Sequence, residues 1–128
     1  MNLEKVIFGF FIVLAATLNF GFVLGDPADP EHHHLWEFFA AFVVNVIATA
    51  LKFGDRTQIG AVHLATSLVA DLQLIAATVV WAVAVHASPA GLDSHAIASI
   101  VSLSGGALFA NVVSVVLLVI ETVSFQRR

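Results

Sequence analysis

From Val6 to Gly25 the chain runs without a charged residue, and three further stretches almost as apolar follow it. A bilayer core of about 30 Å is crossed by a helix of about 20 such residues. One run of this kind fixes the solvent of the segment that carries it; four fix the solvent of the chain. Composition agrees, since the 128 residues are 59% hydrophobic and only 11% charged, against roughly 25% charged in soluble domains. Five Lys and Arg with nine Asp and Glu cannot cover a water-exposed surface. The reading is all-α: one integral membrane four-helix bundle over residues 1–128.

Breaker residues place the boundaries. Lys5 precedes the first run, as in a signal peptide, but the run is long for a signal core and no A-x-A site follows. It is therefore read as a retained helix, about 5–25. Two prolines and three acids between Asp26 and His34 make a loop, with Asp29 and Pro30 placed to cap and start a turn. Helix 2 is expected at about 34–52, with Gly54 beyond it as a stop signal. Helix 3 is expected at 57–86 and ends at Ser88-Pro89-Ala90-Gly91. Helix 4, capped by Asp93 or Ser94, is expected at 94–125. Short connections make up-down-up-down the economical topology.

All the basic residues (Lys5, Lys52, Arg56, Arg127, Arg128) fall at the N-terminus, the 2–3 turn or the C-terminus, which an even number of spans puts on one side. The other side receives Asp26, Asp29, Glu31, Glu37, Asp93 and five of the six histidines. The positive-inside rule then makes both termini cytoplasmic. With cysteine absent there is no thiol chemistry. A net charge of −4 does not suit a nucleic-acid partner.

Inside a membrane the polar side chains are the informative ones. Asp71 stands in the middle of helix 3, where an ionised aspartate costs roughly 2.5–3.5 kcal/mol. His63, Ser67 and Thr78 share its face at helical spacing, and Thr66 and Gln73 widen the stripe. Helix 2 carries Glu37, Asn45, Thr49 and Lys52 on one face; helix 4 carries Ser104, Asn111, Ser114 and Glu121. These stripes face one another or a neighbouring subunit. Interhelical hydrogen bonding accounts for most of the Asn, Ser and Thr residues. Asp71 is either a neutral structural carboxyl or a carboxylate on an ion or proton pathway formed with His63, Ser67, Thr78, Asn45 and Glu37. Glu121 is expected to reach towards Arg127 or Arg128.

His32-His33-His34 lies at the entrance to helix 2. His33 and Glu37 are spaced i,i+4 and His34 and Glu37 i,i+3, so these three residues can share a divalent metal such as Zn²⁺ or Cu²⁺. The same cluster can be pH-responsive, because histidine titrates between pH 5 and 8, or a polar loop with no ligand. Small residues at Ser102, Gly106, Ala110 and Ser114, and Gly21 with Gly25, permit close helix contacts within or between subunits.

The segments Trp36-Glu37-Phe38-Phe39, Leu51 to Ala61 (LKFGDRTQIGA) and Ser67 to Gln73 (SLVADLQ) carry a resemblance covering the central half of the chain. Through them it resembles a bacterial family of small four-helix integral membrane proteins of unknown function. The resemblance implies an inner-membrane protein and brings no activity or site residues.

Two functions are expected from these features. One is a homo-oligomeric channel or simple transporter for a small cation or proton, with its path on the symmetry axis. The other is an accessory or assembly subunit of a larger membrane complex. An enzyme is not expected, since no nucleophile–base constellation and no H-E-x-x-H motif is present; a T-V-G-Y-G potassium filter is also absent.

Overall fold

The computed structural model describes residues 3–126. Within them four helices follow in order: α1 (Leu3–Val23), α2 (Leu35–Lys52), α3 (Gln58–His86) and α4 (Ser94–Gln126), with a 3-10 turn at Pro30–His32. All four are long and apolar enough to cross a membrane. Each packs on the next in sequence, and α4 returns against α1, which closes an antiparallel bundle. At 1.5 Å per residue α1 and α2 are about 32 and 27 Å long, while α3 and α4 reach about 43 and 50 Å. Lys5, Lys52 and Arg56 mark the basic end of the bundle, and His32 to His34, His86 and His95 the histidine end.

The helix ends have identifiable causes. Helix α1 stops at Val23, two residues before the expected end, because Gly25 takes a left-handed φ of 97°. A Cβ on Gly25 would meet the His32 ring, with Nδ1 at 2.9 Å. Asp29 caps the 3-10 turn by accepting from the Glu31 N–H. Gly54, expected as a stop signal, has no positive φ; α2 ends instead in a tight turn in which Phe53 N–H donates to Ala50 O. Thr57 caps α3 by accepting from Gly60 N–H at 3.0 Å. Asp93 performs the same service for α4, accepting from Ala96 N–H at 2.9 Å.

The turn between α2 and α3 is organised by Asp55. Its Oδ1 accepts from the Thr57 N–H at 2.9 Å and the Thr57 hydroxyl at 2.7 Å. Lys52 Nζ stands 3.3 Å from Oδ2. The two Thr57 hydrogen bonds first, and Lys52 second, hold the Asp55 carboxyl down at about 2, below the ordinary 3.8. Gly60 leaves room for this carboxylate, which a Cβ at position 60 would strike.

Packing runs opposite to a soluble protein. Phe10, Phe20, Leu72, Val79 and Phe109 face outward, as lipid contact requires. Towards the histidine end Phe22, Phe38, Leu74, Ala77, Ile97 and Ile100 form an apolar core; Phe8, Ile12 and Ala48 form a second towards the basic end. Polar residues fill the interior between and around them, with Asn19, Asn45, His63, Ser67, Ser104 and Ser114 fully buried. Two glycines of the small-residue seams are used inside the subunit, Gly21 against the Glu37 carboxylate and Gly106 against the Gln73 amide, while Ser102 is exposed.

Candidate functional site

The i,i+4 polar residues of α2, α3 and α4 turn towards one another. Asp71 is 9% exposed, and its Oδ2 lies 2.5 Å from the Thr49 hydroxyl of α2. Thr49 Oγ is also 2.9 Å from the carbonyl oxygen of Asn45, one turn back on its own helix. A hydroxyl has one proton to donate. With Asp71 ionised, Thr49 donates to the carboxylate. With Asp71 neutral, its O–H donates to Thr49, which is then free to donate to Asn45 O. The same heavy-atom geometry therefore serves both protonation states of Asp71.

Along the bundle interior the four helices contribute a column of buried polar atoms without a hydrogen-bond partner among the described residues. They include Asp71 Oδ1, Asn45 Oδ1, Ser67 Oγ, Ser104 Oγ, and the amide groups of Asn19 and Asn111. A buried polar group left unpaired costs about 1–3 kcal/mol, and the acyl chains outside offer no partner. Interior water is the usual solution where several such groups converge. Between Asp71 and the basic end the hydroxyls of Thr66 and Ser114 are hydrogen-bonded across α3 and α4.

At the basic end the column meets charge. His63 is fully buried, neither ring nitrogen has a hydrogen-bond partner among the described residues, and Nε2 stands 4.0 Å from Glu121 Oε1. The other oxygen of Glu121 pairs with Lys5. Arg127 and Arg128, the expected partners of Glu121, lie outside the described residues. Phe8 touches both His63 and Lys52: its ring centroid is 4.9 Å from that of the imidazole and 4.3 Å from Lys52 Nζ. A cleft of about 580 Å³ opens beside it, lined by Lys5, Phe8, Lys52, Asp55 and Arg56 among others.

Of the expected pathway residues, His63, Ser67, Asp71 and Asn45 are buried inside the bundle. Thr78 is half-buried and spends its hydroxyl on Leu74 O at 2.8 Å. Glu37 stands apart at the histidine end, against Gly21. The α3 stripe faces its own bundle, and the opposite face of α3 presents Leu68, Leu72, Ile75 and Val79. A symmetry axis between subunits packed on that face is thus not lined by Asp71. The residues that complete the site, Thr49, Lys5 and Glu121, share the same helical spacing or end position but carry no mark in the sequence of whom they face.

The three expected metal ligands do not converge. Both nitrogens of His33 are turned inward to backbone carbonyls, His34 is exposed at the start of α2, and Glu37 lies on Gly21. Among the described residues no group of three or more His, Asp or Glu side chains is placed to hold a metal ion.

A family model described as a family of unknown function (DUF6394) matches residues 32–122. No curated protein and no solved structure matches the chain.

Proposed function

The chain belongs to this DUF6394 family of unknown function, and from that premise and its polar interior we propose that it is a small transporter that moves protons across the membrane. The path runs within each bundle, from the cleft at the basic end through Glu121 and His63 to Ser67, Asp71 and Thr49, and on to Asn19 and Ser104. One observation carries the reading: Asp71 and Thr49 offer a hydrogen-bond arrangement that is satisfied whether or not Asp71 holds a proton. The interior carries titratable groups among its buried polar side chains, and protons pass along such groups and water. Oligomerisation multiplies such paths and does not create them. We place the protein in the cytoplasmic (inner) membrane of a bacterium with both termini cytoplasmic, because Lys5, Lys52 and Arg56 gather at one end.

The test is proton flux into purified-protein vesicles under an imposed potential. Asp71→Asn keeps the shape of the side chain and removes its proton exchange, so flux should fall at least about tenfold while the bundle stays folded. Wild-type vesicles that leak no more than empty liposomes contradict the proposal.

An accessory subunit is the second reading, and it has its own support. Fully buried phenylalanine rings stand at both ends of the polar column, Phe8 at the basic end and Phe22 and Phe38 at the other. A column closed in this way suits a protein that works only when a larger partner opens it. Flux that appears only after co-purification with another membrane protein favours this reading.

A further inference from the structure

The loop over residues 24–34 covers the histidine end, and one side chain ties it down. The His33 ring is 4% exposed and lies against Phe22, with centroids 5.5 Å apart. Its Nδ1 is 2.5 Å from the carbonyl oxygen of Phe22 and its Nε2 is 2.8 Å from the carbonyl oxygen of Asp26. Both partners are acceptors. A neutral imidazole carries one N–H and can donate to only one of them, leaving a lone pair aimed at the other oxygen. The imidazolium donates to both.

The place of the Phe22 carbonyl in the fold gives a donor there a structural role. Phe22 belongs to the last turn of α1, where carbonyls have no helical partner and the helix dipole attracts a cation. His32 supplies the contrast next door. Its Nδ1 accepts from the Asp26 N–H at 2.8 Å and its Nε2 faces Asp29 Oδ2 at 3.4 Å. A neutral ring with its proton on Nε2 satisfies both of those contacts.

We infer that His33 is a proton-operated latch: protonated, it bridges the end of α1 to the loop, and deprotonated it releases one carbonyl and loosens the cover above Phe22 and Phe38. The other titratable groups at this end of the bundle are Asp26, Asp29, Glu31, His32 and His34 on the loop, Glu37 in the first turn of α2, His86 at the end of α3, and Asp93 and His95 at the start of α4. The last turn of α1 contributes only the Phe22 ring and its carbonyl. Acidity on this side of the membrane therefore holds the loop shut. The inference stands whether or not the bundle carries protons.

Two measurements on the full chain in lipid nanodiscs test it. Ring-nitrogen NMR of histidine-labelled protein should show both His33 nitrogens protonated at pH 5 and one at pH 8, with His32 in a single neutral tautomer over the part of that range where it is uncharged. Hydrogen exchange at the Asp26, Asp29 and His32 amides, corrected for the intrinsic pH dependence, should quicken about tenfold as His33 loses its proton. His33→Phe keeps the ring against Phe22 but has no donor, so exchange should be fast at both pH values. A His33 that is neutral throughout overturns the latch. So does a pH-dependent loop that persists in His33→Phe, which assigns the effect to the neighbouring carboxylates or to His32 and His34.

Discussion

Thr49 of α2 and Asp71 of α3 are joined across the helix interface at 2.5 Å, with Thr49 also in reach of the Asn45 carbonyl at 2.9 Å. A threonine in this position does more than fill space: it gives a buried carboxyl a partner that can reverse its role from donor to acceptor. The helix geometry makes the arrangement stiff, because Asn45 and Thr49 are one turn apart and Asp71 approaches from the neighbouring rod.

Thr49→Val conserves shape and removes the hydroxyl. Asp71 is then left without its one side-chain hydrogen-bond partner among the described residues, a loss of about 1–3 kcal/mol. Thermal unfolding in detergent should show the lower stability, and vesicle flux should fall to the level of Asp71→Asn. Thr49→Ser should restore both, since the hydroxyl and not the methyl makes the contact. Wild-type flux in Thr49→Val would remove Thr49 from the path.

The Asp55 turn predicts an acid limb of stability. The carboxyl is held at about 2, below its ordinary 3.8. A depressed acid contributes stability that is present above the unfolded value and disappears as pH falls through the folded one. Asp55→Ala should therefore lower the unfolding temperature at pH 6, and the gap to wild type should narrow between about pH 4 and 2. A gap that stays constant across this window shows that Asp55 acts through packing alone.

Gly25→Ala tests the loop geometry from the backbone side. Its φ of 97° is disfavoured for an L side chain, and the new methyl would press on the His32 ring. Exchange at the loop amides should rise several-fold, while flux and α-helix content stay near wild type. Gly54→Ala, which has open space around its Cβ and no positive φ, is the matched control.

The helices were legible because four apolar runs, separated by proline, glycine and charge, leave little freedom. Their ends shifted by only a residue or two where local chemistry intervened, as at Gly25. The inward turn of Asp71, His63 and Ser67 was half legible: spacing put them on one face, but sequence does not distinguish a face turned to its own bundle from one turned to a second subunit. The pairing of Glu121 with Lys5 was hidden because those residues are 116 positions apart and meet only when α4 closes on α1. His33 was hidden by its neighbours, since a run of three histidines suggests shared ligation rather than three different environments.

Membrane orientation can be read without knowledge of function. The chain has no cysteine, so single cysteines report unambiguously. An impermeant maleimide should label His34→Cys in intact cells and Gly54→Cys only after permeabilisation, both positions being exposed at opposite ends of the bundle. The reverse pattern would put the termini outside and invert the side on which the His33 latch senses protons.

The junction of His63 and Glu121 supplies the most demanding prediction, because it separates a proton path from a structural ion pair. Glu121 has two oxygens with different duties: one pairs with Lys5, and the other faces a buried imidazole 4.0 Å away, with no hydrogen-bond partner among the described residues. If Glu121 serves only to hold Lys5, Lys5→Met and Glu121→Gln should be equivalent, each lowering stability slightly and leaving flux alone. If Glu121 passes protons between His63 and the cleft, the two part company. Glu121→Gln keeps the size and loses proton exchange, so flux should drop about tenfold. Lys5→Met keeps the carboxyl and frees it from its cation, so flux should be retained. His63→Phe should match Glu121→Gln, and Glu121→Asp should recover part of the loss. Equal flux in Glu121→Gln and wild type, measured in the same vesicles, would close the path at His63 and confine any proton movement to other groups.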